Sequence, residues 1–218
     1  MNFKKYLAEL LGVAGIVAAV LGAGYMVENL GAQGGVGLAL IAVAVGAALL
    51  IGITILGPIS GAHLNPAVTV AMLANKAISA KDAVMYILFQ LAGGFVGAVT
   101  ANLMYEKAVV SANDTVRAGM GQLTGEFVAT MGLVFTVLVL VHIKQGMWIA
   151  PSVAVWVIGG HFFTSSTSFA NPAVTFGRGF SDALTGIEWG SVPGFVVVEL
   201  LAGLAAWALY KVLFSATK

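Results

Sequence analysis

The chain has 218 residues, of which 60% are apolar and 9% charged, against roughly 25% charged residues in an ordinary soluble domain. Ten Lys and Arg with nine Asp and Glu cannot cover a soluble globule of this length, so most of the outer surface faces lipid. A net charge of +1 with dispersed basic residues excludes nucleic-acid binding, and the absence of cysteine excludes disulfides, thiolate metal sites and thiol catalysis.

A bilayer core of about 30 Å needs roughly 20 apolar helical residues. That length predicts six spans: Tyr6 to Met26, Gly35 to Leu56, Ala83 to Tyr105, Leu123 to Val141, Met147 to Phe163 and Val192 to Phe214. The first lacks a small-residue cleavage site and is expected to be retained. The second carries no charge, whereas the first, fourth and sixth each contain a glutamate: Glu9, Glu126 and Glu199. Tyr6, Tyr25, Tyr105, Trp148, Trp189 and Tyr210 fall near the predicted ends, where amphipathic rings favour the headgroup level. Small residues four apart, Ala8 with Gly12, Gly93 with Gly97, Gly125 with Ala129 and Ala202 with Ala206, predict close helix contacts. With both termini inside, the inner side collects Lys4, Lys5, Lys76, Lys81, Lys144, Lys211 and Lys218, against Lys107, Arg117 and Arg178 outside, and this excess of inner basic residues predicts cytoplasmic termini.

Two connecting segments are nearly identical at their centres: Asn65-Pro66-Ala67-Val68-Thr69 and Asn171-Pro172-Ala173-Val174-Thr175, 106 residues apart. Flanking matches follow in the same order, Glu9-Leu10-Leu11 with Glu126-Phe127-Val128 and Gln90 to Gly94 with Glu199 to Gly203, so the chain is expected to be a single domain over 1–218, built from a first repeat, 1–110, and a second, 120–218. Three spans per half is an odd number, so the second copy inserts upside down. Asn is a favoured N-cap and Pro a favoured first helical residue, so each triplet opens a helix. These helices, 66–75 and 172–181, rise only about 15 Å, half the hydrocarbon thickness. A half-helix survives at membrane depth only when folded back into the bundle, which brings Asn65 to face Asn171 near the midplane. An N-capping Asn accepts from the helix with its oxygen and leaves its NH2 free to donate. Each half-helix also points its positive dipole end there, which opposes cations and protons.

The segment Ser60-Gly61-Ala62-His63-Leu64-Asn65-Pro66-Ala67-Val68, the second Asn-Pro-Ala, Glu9 and Glu126 together resemble the aquaporins, the major intrinsic protein family, over essentially the whole chain. The resemblance implies an all-α membrane protein, an inverted repeat of six transmembrane helices plus two re-entrant half-helices. It implies a homotetramer in the cell membrane, with lipid, water and small neutral solutes as partners and no cofactor. By the same resemblance Asn65, Pro66, Ala67, Asn171, Pro172 and Ala173 form the pore motifs, and Glu9 and Glu126 anchor the adjacent loops. The alternative for the carboxylates is a proton relay through Glu9, Glu126 and Glu199 in a coupled transporter. Glu199 departs from the family, where Pro is common.

Spacing relative to the family places the selectivity filter at Val45, Ser168 and Val174, with either Gly159 or His161 from the fifth span. Val174 stands where water-selective members carry Arg. Arg178, four residues on, either supplies a guanidinium to the filter or pairs with Asp182 at the outer mouth. Val at 174 resembles a bacterial branch associated with arsenic resistance, which implies passage of glycerol-like polyols and neutral metalloid hydroxides such as arsenite. A water-selective channel is the alternative. No catalytic constellation and no His pair at helical spacing is present, so neither an enzyme nor a metal site is expected.

Overall fold

The computed structural model describes residues 3–32 and 34–214; Lys218 of the charge count and the last four residues of the second repeat lie outside them. The elements run α1 (Phe3–Asn29), α2 (Gly34–Ser60), α3 (Pro66–Ala74), α4 (Ala80–Met104), α5 (Met120–His142), a 3₁₀ turn Gly146–Trp148 leading into α6 (Ile149–Phe163), α7 (Pro172–Arg178) and α8 (Val192–Phe214). Six segments are long and apolar enough to cross a membrane: α1, α2, α4, α5, the 3₁₀ turn with α6, and α8. The short helices α3 and α7 occupy the same place in each half. The protein is an all-α, multi-pass membrane protein.

Most spans run a turn beyond the apolar stretches that predict them, because their ends are set by capping rather than by hydropathy. Ser79 accepts the Asp82 N–H at 3.1 Å and starts α4 three residues early. In α2, Pro58 falls within the last turn, where a missing N–H costs a single hydrogen bond, and the helix continues to Ser60. The second half-helix departs from expectation in the other direction. It ends at Arg178, three residues short of 181, as Gly179 and Phe180 turn back onto the carbonyls of Phe176 and Gly177.

Helices α1 and α4 pack together in the first half, and α5 and α8 in the second; α2 and α6 meet across the halves. All eight residues of the predicted small pairs are buried. Three residues of the aromatic belt, Tyr6, Tyr25 and Tyr210, lie near helix ends and are buried against protein, where their hydroxyls have protein partners. Tyr6 donates to Asp82 at 2.7 Å, and Lys5 pairs with the same carboxylate at 2.8 Å. At the other end of α1, Tyr25 donates to Asp182 at 2.6 Å and to Asn102 at 3.0 Å. Tyr210 meets His142 at 3.0 Å. Trp148 and Trp189 are exposed.

Each half-helix is wedged against the last span of the opposite half. A Cβ on Gly94 of α4 would stand 2.5 Å from the Ala173 carbonyl oxygen, and one on Gly203 of α8 would stand 2.9 Å from that of Ala67. Backbone occupies the space a side chain would need, which seats α7 on α4 and α3 on α8. Gly94→Ala is therefore expected to cost about 1–3 kcal/mol through overpacking and to lower the thermal midpoint in detergent. Gly15→Ala, which meets nothing within 4 Å, serves as the control. A parental midpoint for Gly94→Ala would show that α7 is not wedged there.

Candidate functional site

The loops entering α3 and α7 carry the same unusual backbone. Ala62 and Leu64 before α3, and Ser168 and Ala170 before α7, all have φ between 45° and 54°, at matching positions of the two repeats. Left-handed conformation costs a non-glycine residue roughly 1–2 kcal/mol, so something must hold these segments. The fully buried carboxylates do so. Glu9 accepts from His63 N at 3.0 Å and Leu64 N at 2.6 Å; Glu126 accepts from Phe169 N at 2.8 Å and Ala170 N at 2.7 Å. These are charge-assisted bonds to backbone that would otherwise be orphaned inside the membrane. Glu9 also receives Ser60 Oγ at 2.6 Å and Gln90 Nε2 at 2.7 Å.

Both asparagines cap as their sequence requires. Asn65 Oδ1 accepts from Ala67 N at 2.8 Å, and Asn171 Oδ1 from Ala173 N at 3.0 Å and Val174 N at 3.3 Å. Their NH2 groups are not wholly free, contrary to expectation. Asn65 Nδ2 donates to the Ala170 carbonyl and Asn171 Nδ2 to the Leu64 carbonyl, each at 2.7 Å. Each loop thus grips the other across the repeat axis, and one N–H per asparagine has no protein partner among the described residues.

A cavity runs past this junction, lined by Asn65 and Asn171 together with Val45, His161, Ser168, Val174 and Arg178. Gly159 is not on its wall; a Cβ there would meet the Phe163 ring. His161 Nδ1 contacts the Val157 carbonyl at 2.8 Å. A carbonyl can only accept, so Nδ1 carries the proton and Nε2 is left over. Ser168 lies where Gly160 makes room, within 2.6 Å of where a Cβ would be, and its buried hydroxyl has no protein partner among the described residues. Glu9, Glu126 and Glu199 are absent from the cavity wall.

Arg178 does not pair with Asp182. The early end of α7 removes the i+4 relation, and Asp182 is taken by Tyr25. Arg178 Nε donates to the Thr185 carbonyl at 2.5 Å, and its guanidinium lies 3.2 Å from the Phe169 ring centroid. Arg117, from the loop before α5, approaches the same ring at 5.0 Å and donates from Nε to Gly186 O at 3.0 Å. Burial pushes the Arg117 guanidinium below its ordinary value. Sequence reasoning missed Phe169 and Arg117 beside Arg178. Arg117 is distant in sequence from the second half-helix, and no periodicity connects them.

Two carboxylate-anchored re-entrant loops, meeting on paired asparagines in an inverted repeat, define a membrane channel. Residues 1–165 match the family model for the major intrinsic protein. The chain is 38% identical to "Aquaglyceroporin AqpS" of Rhizobium meliloti (strain 1021), over 95% of this chain and 89% of that protein. It is 36% identical to "Aquaporin Z" of Rhodopseudomonas palustris (strain ATCC BAA-98 / CGA009), over 48% of this chain and 43% of that one. The solved aquaglyceroporin from Plasmodium falciparum has the same fold, with a TM-score of 0.78 at 20% identity, covering 99% of this chain and 98% of that one. The chain belongs to the major intrinsic protein family.

Asn171→Ala removes a cap and one of the two bonds between the loops. It is expected to cost about 1–2 kcal/mol and to lower solute flux per inserted channel in proteoliposomes, measured by stopped-flow light scattering. Parental flux from correctly inserted protein would reduce Asn171 to a structural cap.

Proposed function

We propose that this chain is a passive channel, not an enzyme, that conducts water and small uncharged solutes of glycerol size, including neutral metalloid hydroxides such as arsenite. The observation that carries the reading is Val174 on the cavity wall beside Val45, with the nearby guanidinium of Arg178 drawn onto Phe169 and Thr185 O. Two valines leave more width than an arginine and an aromatic ring. His161, Ser168 and Arg178 keep hydrogen-bonding groups at the same level, suited to a molecule that carries hydroxyls on one side and carbon on the other. The similarity to an aquaglyceroporin over nearly the full chain supports the same solute class.

The reading places the pore motifs at Asn65, Pro66, Ala67, Asn171, Pro172 and Ala173, and the filter at Val45, His161, Ser168, Val174 and Arg178. Glu9 and Glu126 serve as loop anchors. The off-pore position of all three buried glutamates favours this scaffold over a proton relay. The protein sits in the cell membrane with both termini cytoplasmic, as the basic inner loops favour, and assembles as a homotetramer with one pore per subunit, as family membership suggests.

Val174→Arg adds bulk, five donors and a fixed charge to the wall. It is expected to cut glycerol and arsenite flux by about tenfold or more while water flux changes much less, since a filter contact of a few kcal/mol separates solutes on that scale. The like charge would stand one turn from Arg178, so the double change Val174→Arg with Arg178→Ala separates narrowing from displacement. A parental ratio of glycerol to water flux in the single variant would place the constriction elsewhere.

A further inference from the structure

Glu199 is fully buried on α8 and occupies, in the second half, the place that Gln90 holds on α4 in the first. Gln90 Nε2 donates to Glu9 at 2.7 Å and contacts Thr69 Oγ1 at 3.1 Å, tying the loop anchor to its half-helix. Glu199 Oε1 accepts from Asn171 N at 3.1 Å and from Thr175 Oγ1 at 2.8 Å; the preceding N–H, of Ala170, goes to Glu126 Oε2 at 2.7 Å, so the two carboxyls stand on successive N–H groups of one loop. Where the first half sets an amide donor against a carboxylate, the second half sets a carboxyl against a carboxylate.

The donor count is uneven in the same way. Glu9 receives four donors, whereas Glu126 receives the two loop N–H groups, and no donor among the described residues reaches Glu199 Oε2. Two fully buried carboxyls held on successive N–H groups disfavour a second negative charge. Cations lie in this region, but among the described residues none forms an ion pair with Glu126 or Glu199. Helix α3 has no ionisable side chain; α5 contributes Glu126, with His142 at its far end; α7 contributes Arg178, held by Thr185 O and Phe169. Arg117 reaches the region from the preceding loop but is bound to Gly186 O. On α8 itself, Tyr210 and Lys211 lie three turns away.

We propose that Glu199 is a positioning residue that carries a proton on Oε2 and shares it with Glu126, so that one O–H···O bond does in the second half what the Gln90 amide does in the first. Oε1 stays free to hold Asn171 N and Thr175 Oγ1, and Oε2–H closes the link to the anchor of the 168–170 loop. Loss of that proton to water leaves two negative charges on adjoining N–H groups of one loop. They repel, and the hold on Asn171 loosens.

Glu199→Gln restores the donor without the proton and copies the first half. Purified protein in proteoliposomes is examined by infrared spectroscopy and by stopped-flow flux from mildly acidic to alkaline pH. Wild type is expected to show the carbonyl band of a buried protonated carboxyl, shifted by deuterium exchange and absent from Glu199→Gln. Wild-type flux should track that band across pH. Glu199→Gln should stay within about twofold of wild type at neutral pH and be flat with pH, whereas Glu199→Leu, which cannot accept or donate, should lose about tenfold, the effect of a pair of lost buried hydrogen bonds. The complementary change Gln90→Glu should add a second protonated-carboxyl band. Absence of the band in wild type, collapse of neutral-pH flux in Glu199→Gln, or flux that changes with pH independently of the band would each overturn the proposal. The flux readout rests on the reading of Asn171 as a pore residue and the infrared readout does not. Failure of that reading shows as normal conduction in Asn171→Ala, and failure of this one as a missing band.

Discussion

The architecture depends on one constraint: inside a bilayer every backbone polar group must find its partner within the protein. Two loops break helical structure at membrane depth, and each does so in a left-handed geometry that is itself costly. Glu9 and Glu126 meet the constraint. Each carboxylate has several lone pairs, so one side chain can satisfy two successive loop N–H groups that point the same way. A neutral acceptor would do this more weakly, and no water is needed. The intramembrane charge, costly in isolation, is offset by the loop N–H groups it satisfies.

Once the loops are fixed, the remaining geometry follows from close approach. Each asparagine caps its own half-helix and grips the opposite loop, so the junction is closed by reciprocal bonds and neither half can shift alone. Gly94 and Gly203 bring the first residues of α7 and α3 against α4 and α8 at backbone contact distance. Ala67 and Ala173 are fully buried there, which gives the small third residue of each Asn-Pro-Ala triplet a packing reason as well as a motif. The tyrosines on α1 fasten its two ends, one to α4 and one to both α4 and the segment after α7.

Much of this was legible in the sequence, because the signals are local or periodic. Six apolar runs gave six spans, and Asn followed by Pro gave two helix starts, since capping depends on adjacent residues. The repeat spacing then brought Asn65 to Asn171. What stayed hidden depends on partners distant in sequence. That Tyr6 and Tyr25 bond Asp82 and Asp182 is visible only once the fold brings those carboxylates beside them. Of the two readings of Arg178, pairing with Asp182 fails because α7 ends early and the guanidinium turns onto Phe169. The choice between Gly159 and His161 was undecidable from spacing because it depends on where the loop after α6 doubles back. Ser168 was placed on the cavity by spacing, but its unpartnered hydroxyl emerges only when Gly160 is seen to leave room for it.

The proposed selectivity follows from how sparsely polar groups are set along the cavity. Ile16, Val20, Leu49, Val68 and Leu133 make most of its wall apolar, with donors concentrated at the asparagine pair and at the level of Ser168, His161 and Arg178. A cation entering would lose hydration and meet N–H groups, a guanidinium and two helix N-termini, all of the wrong polarity. An anion would find donors at the mouth and then a stretch of hydrocarbon with none, where desolvation is uncompensated. A neutral molecule with several hydroxyls pays the smallest penalty at each step, since it can exchange one or two hydrogen bonds at a time while its carbon or metalloid side rests against valine. On this proposal width then decides among such molecules, with the side chain at 174 setting that width.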